Sequence, residues 1–122
     1  QCLTTLREWC VPNPSPWELA HKYLVCPYEM DQDDIARDAT AEFLLTRPDF
    51  AWIGYGWMGC YSFVKDTTKL RPRPQLWDMD YGGMPNGPCE ETGENTGIFV
   101  RKYPKADVQW DCSTGTGDIR FH

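Results

Sequence analysis

The residues best suited to chemistry in this chain are its cysteines, which are spread over the whole length without any C-x-x-C pair. Zinc sites and redox motifs bring their thiols close together, whereas an even number of scattered cysteines is typical of disulfide-bonded proteins. The pattern predicts up to three disulfides and an extracellular location, and the alternative is reduced, buried thiols in a cytosolic domain. The six cysteines are Cys2, Cys10, Cys26, Cys60, Cys89 and Cys112.

Carboxylates are a second group with chemical potential, because hydrolysis of a glycosidic bond uses two of them about 5–9 Å apart. The best pair by sequence is Asp78 and Asp80, since Trp77 and Tyr81 flank it and an aromatic neighbour can raise a carboxyl pKa. The alternative, which we favour, is that both aspartates form turns in the loop 77–85. The other candidates are Glu90, Glu91, Glu94, Asp107, Asp111 and Asp118.

Other kinds of catalytic or metal site have little support. His21 and His122 are the only histidines, and neither has a nucleophile in a suitable local context. Acidic turns at Asp78, Asp80 and Glu90 offer oxygen ligands for Ca²⁺, but their spacing matches no calcium loop. We therefore expect no catalytic residue, no metal and no cofactor.

Several aromatic side chains lie in or beside glycine-rich or turn-rich segments. A flat ring can pack against the C–H face of a sugar while polar groups at its edge bind the hydroxyls. The alternative, which is commoner for such residues, is that the rings fill the core or an interface. These candidates for glycan or interface contact are Trp57, Tyr61, Trp77, Tyr81 and Trp110.

Length and charge restrict the class of protein and its partners. A chain of 122 residues is close to the usual size of one domain. Its net charge of -6 disfavours nucleic acid and anionic membranes as partners. The longest apolar run, around 52–58, is too short for membrane insertion. The one basic run, KLRPRP at 69–74, could dock on an acidic neighbour, although an exposed linker is the simpler interpretation.

The first half of the chain is predicted to be mainly helical over 1–48. One or two helical turns are expected between Cys2 and Cys10. A second helix is predicted at about 16–25, because Ser15, Pro16 and Glu18 form a good helix start. A third is predicted at about 32–47, with acids in its first turn and a basic residue in its last.

The second half is predicted to be β-structure and loop. A buried strand is expected at 50–55 within a strand region 49–65, followed by a long loop at 66–97 that Cys89 ties down. Alternating residues predict three antiparallel strands at 98–103, 106–111 and 118–121, with one face exposed to water. The fold class is therefore α+β, in a single domain spanning 1–122.

Five short motifs occur in a recognisable order from Asp34 onward. They are AEFLL at 41–45, WIGYGW at 52–57, DYGGMP at 80–85, GIFVRK at 97–102 and VQWDC at 108–112. In this order the chain resembles the closing segment of secreted (β/α)8-barrel glycoside hydrolases that degrade polysaccharides. Such a barrel takes about 250 residues, and its acidic pair would lie upstream of this segment. The resemblance therefore implies an architecture and a sugar context, but no catalytic residues.

A strand derived from such a barrel needs other strands beside it, from this chain or from another. We therefore expect a non-catalytic extracellular structural subunit that assembles as a homo-oligomer, such as a fibre, or with a larger partner chain, and that contacts carbohydrate. The alternative is the small chain or remnant of a secreted polysaccharide hydrolase, and a small secreted toxin or inhibitor is a third class. Of the fifteen ways to pair six cysteines, we expect Cys2–Cys10, Cys26–Cys60 and Cys89–Cys112.

Overall fold

The structure is a computed structural model that describes residues 1–10, 21–26, 33–48, 50–55 and 74–122. Its helices and antiparallel sheet confirm the α+β class. In chain order the elements are α1 (Cys2–Trp9), β1 (His21–Cys26), α2 (Asp33–Thr46), β2 (Phe50–Tyr55), a 3₁₀ turn (Gln75–Trp77), β3 (Glu90–Glu91), β4 (Ile98–Tyr103), β5 (Ala106–Asp111) and β6 (Thr116–Phe121).

The first sheet is a parallel pair of strands, β1 and β2, in register from His21 opposite Phe50 to Cys26 opposite Tyr55. Parallel neighbours need a crossover connection, and α2 lies between the two strands in sequence. The helix predicted at about 16–25 is wrong over 21–25, where the structure has β1, and its start at 16–20 lies outside the described residues. The sequence HKYLVC contains aromatic and β-branched residues that suit a strand, and pairing with β2 outweighs the local helix signal upstream.

The second sheet is antiparallel, with the strand order β3-β4-β5-β6. It confirms the predicted meander, and on β5 the side chains of Ala106 and Val108 are buried while Asp107 is exposed. Two details differ from the prediction. The last strand begins at Thr116, and the two-residue strand β3, which is too short to give a periodic signal, pairs with β4 inside the predicted loop.

The core lies between α2 and the inner face of the antiparallel sheet. The helix predicted at about 32–47 is confirmed, and it buries Ala41 and Leu45 against Phe99 and Val108. Gly117 on β6 permits this close approach, because a Cβ added there would lie only 2.4 Å from the Cβ of Ala41.

Two disulfides attach α1 to the C-terminal half, and both predicted pairings that they involve are wrong. The bridges join Cys2 to Cys112 and Cys10 to Cys89, so Cys89 does tie the loop. The expected Cys2–Cys10 bridge fails because eight residues of helix separate its ends by about 12 Å, beyond the reach of a disulfide. Cys89–Cys112 fails because each cysteine has another partner. Cys60 lies outside the described residues, as does the side chain of Cys26.

Candidate assembly interface

The two edges of the antiparallel sheet are both closed to further strands. At one edge, β3 offers only two residues. At the other, the Gly117 amide donates to Asp38 Oδ1 at 3.0 Å, and the Gly117 carbonyl accepts from Arg37 Nε at 3.1 Å. The next outward amide, that of Ile119, donates to Asp118 Oδ1 at 3.0 Å. Because side chains occupy these backbone groups, the edge cannot readily add a strand.

The parallel pair is different, since within the described residues β1 and β2 pair only with each other. One face of β2 is covered, because Ala51 and Ile53 pack against the core. Trp52 lies between them in sequence, so it is on the opposite face, and it is 50% exposed. The predicted burial of this strand is therefore wrong for Trp52. Parallel sheets are normally covered on both faces, so this face and its edges form the candidate assembly interface.

The C-terminal end of α2 is fixed to the antiparallel sheet by Arg101 and Tyr103. The Arg101 guanidinium donates to the carbonyls of Leu44 and Leu45, each at 3.3 Å, and of Arg47 at 2.7 Å. The Tyr103 hydroxyl donates to the Leu44 carbonyl at 2.6 Å. A cation suits the negative end of the helix dipole. These contacts hold the end of α2, and with it the start of β2, in place.

Sequence reasoning did not assign a role to Arg101 or Tyr103. Arg101 occurs in the motif GIFVRK, but nothing in that motif shows that its side chain reaches a helix far away in the sequence. Burial raises the pKa of Tyr103 to about 12, so its hydroxyl stays a neutral donor at physiological pH.

The structure places three of the predicted aromatic contacts in packing roles. Trp77 Nε1 donates to Thr40 Oγ1 at 3.0 Å, and Trp110 packs against the core cluster. The Tyr81 hydroxyl donates to the Leu76 carbonyl at 2.6 Å, and burial raises the pKa of Tyr81 to about 12. The other two, Trp57 and Tyr61, lie outside the described residues.

The candidate acid pair is not arranged as a general acid and a base. Asp80 accepts from the Gly82 amide at 2.9 Å and forms an ion pair with Lys105. The Lys105 ammonium and the Gly82 amide hold the pKa of Asp80 below its ordinary value, whereas a general acid needs a raised one. Asp78 is exposed and follows the 3₁₀ turn directly.

Most of the remaining acidic candidates have structural partners. Glu91 binds Arg7, Asp111 accepts from Ser113, Asp118 binds Arg120, and Asp107 lies 3.3 Å from His122, while Glu90 and Glu94 are exposed. Within the described ranges, no group of three or more His, Cys, Asp or Glu side chains is placed to hold a metal ion. The side chain of His21 and most of the basic run 69–74 lie outside those ranges.

The outer face of the antiparallel sheet carries charges of both signs around a shallow depression of about 140 Å³. Val100 and Val108 contribute to its lining, and Lys102, Asp107, Asp118 and Arg120 supply the charged groups. Positive and negative groups alternate across neighbouring strands, for example Lys102 opposite Asp107 and Asp107 opposite Arg120. This face is typical of a solvated sheet surface.

Comparisons with known proteins give the chain no relatives to argue from. No family model matches its sequence, and no curated protein matches it either. Among the helices that the structure describes, none is long and apolar enough to cross a membrane.

Proposed function

We propose that this protein is a non-catalytic extracellular structural subunit, which assembles with copies of itself or with a partner chain through the parallel β1–β2 pair. The observation that carries the proposal is the contrast between the two sheets. The antiparallel sheet has side chains or a very short strand at both edges, whereas β2 presents a half-exposed tryptophan on the face away from α2.

The energetics of association support this choice of surface. A two-stranded sheet is at best marginally stable in water without further cover. A large aromatic side chain that becomes desolvated at the centre of an interface often contributes about 2 kcal/mol or more to binding. Trp52 is such a side chain, and the contacts of Arg101 and Tyr103 fix the end of α2, which its strand follows in the chain. Assembly would therefore begin from a surface that is already ordered.

The extracellular location is supported by the two disulfides. Both link residues that are far apart in sequence, by 110 and 79 positions, and such bridges persist in oxidising compartments. They join α1 to the sheet that is closed at its edges, whereas Trp52 on the parallel pair is half exposed.

The test is a comparison of Trp52→Ser with Met84→Ser. Met84 is 46% exposed, but it lies in the turn after Asp80 rather than on the parallel pair. Light scattering and electron microscopy would give the native mass and particle shape, and urea unfolding would check the fold of each variant. We expect large assemblies for the wild type and for Met84→Ser, and small species for Trp52→Ser. Equal particle mass in all three would overturn the proposed interface.

A second function, the small chain of a secreted polysaccharide hydrolase, is favoured by one specific observation. The order β1-α2-β2 with parallel strands is the unit from which a (β/α)8 barrel is built. In such a barrel the helices lie outside, so Trp52, on the face away from α2, would face the interior. This function predicts that the protein copurifies with a heavier chain of roughly 200 residues, and a homogeneous assembly of the 14.1 kDa chain alone would contradict it.

A further inference from the structure

The dipeptide Asn86-Gly87 lies in a bend that is anchored to β4. The Asn86 backbone amide donates to the Lys102 carbonyl at 2.8 Å, and the Gly87 carbonyl accepts from Arg101 Nε at 2.8 Å. Asn86 is exposed, and a Cβ added at Gly87 would meet nothing within 4 Å. The two residues are therefore held on either side of the peptide bond that joins them, while the space around that bond is open.

Asparagine followed by glycine is the dipeptide that cyclises most readily, because glycine has no side chain to hinder the reaction or to restrict the backbone. The Gly87 nitrogen attacks Cγ of Asn86, and the bond between Cγ and the side-chain nitrogen breaks. The Gly87 amide proton leaves with that nitrogen as ammonia, so a succinimide ring remains. Water then opens the ring at either carbonyl, which gives aspartate or isoaspartate, and the reaction needs no oxidant, metal or cofactor.

Both reacting groups are available in the folded protein. Among the hydrogen bonds of the described residues, none uses the Gly87 amide or the Asn86 side chain. Asn95 is different, because its Oδ1 accepts from the Arg7 guanidinium at 3.1 Å, and the branched side chain of Thr96 follows it. The chain therefore contains an exposed asparagine that can react and a second one that serves as an internal control.

Isoaspartate carries the main chain through the side-chain carbon atoms, which adds one methylene group between the Asn86 Cα and the Gly87 nitrogen. The anchors on either side of this bond are fixed, because Lys102 and Arg101 belong to β4. Cys89 follows soon after in the chain, and it is buried and disulfide-bonded. The segment cannot slide to absorb the extra length, so the isoaspartate form should not keep both anchoring hydrogen bonds.

We propose that Asn86-Gly87 is a site of spontaneous deamidation and isomerisation, and that its isoaspartate product loosens the attachment of α2 to β4. The link is Arg101, whose Nε donates to the Gly87 carbonyl while its Nη1 donates to the carbonyls of Leu44 and Arg47 at the end of α2. When the bond to Gly87 is lost, the guanidinium is no longer held from both sides. The reaction needs no second chain, so the inference is independent of the proposed assembly.

The first experiment follows the reaction in the intact, disulfide-bonded protein at body temperature and mildly alkaline pH. Peptide mapping by mass spectrometry, with fragmentation that distinguishes isoaspartate from aspartate, measures the modified fraction at each asparagine over time. We expect isoaspartate to accumulate at Asn86 while Asn95 stays unmodified. In Gly87→Ala the added methyl group has room in the fold but hinders the attacking nitrogen, so the reaction should be several-fold slower.

The second experiment measures the structural consequence. Reacted protein carries one more negative charge than the unreacted chain, so anion exchange chromatography separates the two. Hydrogen exchange of the reacted form should be faster in β2 than in β5, because the end of α2 that precedes β2 has lost part of its support. Freshly prepared Asn86→Asp is the matched control, since it has the new charge without the extra methylene group, and it should exchange as the wild type does.

Each outcome either supports or overturns the inference. No isoaspartate at Asn86, or an equal rate in Gly87→Ala, would overturn the reactive site. Unchanged exchange in β2 of the reacted protein, or the same change in fresh Asn86→Asp, would overturn the consequence assigned to isoaspartate. The assembly proposal fails separately, because Trp52→Ser should react at Asn86 at the wild-type rate whatever its particle mass.

Discussion

The two sheets of this protein differ in how their borders are covered. The antiparallel sheet ends in a two-residue strand on one side, and on the other side Arg37, Asp38 and Asp118 occupy its outward backbone groups. The parallel pair has no further strand among the described residues, and Trp52 on its outer face is half exposed. One sheet is protected against added strands, and the other presents the surface through which we propose that the protein assembles.

If the protein assembles as proposed, the difference also separates stability from association within one small chain. Both disulfides and most of the buried side chains belong to the closed region formed by α1, α2 and the antiparallel sheet. The parallel pair is attached to this region through α2. Substitutions in the closed region should therefore change stability, whereas substitutions on the outer face of β2 should change particle mass.

The largest effect on stability is expected from removing a disulfide, as in the double variant Cys2→Ser with Cys112→Ser. This bridge spans 110 positions, but the remaining Cys10–Cys89 bridge shortens the loop that it closes, so loop entropy in the unfolded chain predicts a loss of about 3–4 kcal/mol. Urea unfolding under conditions that neither oxidise nor reduce thiols measures this loss in the free energy of unfolding. The matched variant, Cys10→Ser with Cys89→Ser, spans 79 positions and should lose a similar amount. An unchanged unfolding midpoint in both would show that α1 does not hold the closed region together.

The next effect tests the attachment between the two regions. Arg101→Ala removes a charged donor from several carbonyls at the end of α2, and it should cost about 2–3 kcal/mol. Hydrogen exchange should become faster in β2 than in β5, because the start of β2 loses its support. Arg120→Ala, which removes an exposed arginine instead, is the control. Uniform exchange in all strands would contradict the role given to Arg101.

A smaller effect is expected at the closed edge itself. Gly117→Ala places a Cβ 2.4 Å from that of Ala41, and overpacking of this kind costs about 1–3 kcal/mol. The added methyl group should push α2 away from β6 and so weaken the hydrogen bonds of Arg37 and Asp38 to this edge strand. We therefore expect the variant to associate through the edge of β6, and adding the substitution Trp52→Ser should not prevent this association. Gly87→Ala, where the added Cβ meets nothing within 4 Å, is the control for thermal unfolding and particle mass.

The smallest effect concerns pH. Arg7 and the Gly97 amide hold the pKa of Glu91 below its ordinary value of 4.5. The unfolded chain therefore binds the proton more readily, so this contact stabilises the fold above pH 4.5 and is lost as the pH falls through the lower folded value. Glu91→Gln should lower the urea midpoint at pH 7 more than at pH 3. The reverse dependence would show that Glu91 is not held ionised in the folded protein.

Much of the fold was predictable because several segments carry a signal in their own residues. The alternation in β5 and the acidic start of α2 are local patterns, and both elements were confirmed. Strand β1 was missed because its pairing with β2 decides its conformation. Strand β3 was missed because two residues are too few to show an alternation of buried and exposed side chains. Two of the three predicted disulfides were wrong, although the predicted helix between Cys2 and Cys10 already excluded one of them. The third, Cys26–Cys60, stays a prediction, because Cys60 lies outside the described residues.

The candidate site was only partly predictable. The resemblance to a barrel segment drew attention to the strand 50–55, where the structure places β2. The exposure of Trp52 and the closure of β6 by side chains from α2 were not predictable, because both depend on how distant elements pack.

The most direct test of the central claim is the native mass of the wild type and of Trp52→Ser, measured by light scattering and electron microscopy at the same concentration. We expect large particles for the wild type, small species for Trp52→Ser, and nearly equal urea midpoints for both. A monomeric wild type, or a Trp52→Ser variant that assembles as the wild type does, would contradict the claim that this protein assembles through its parallel strands.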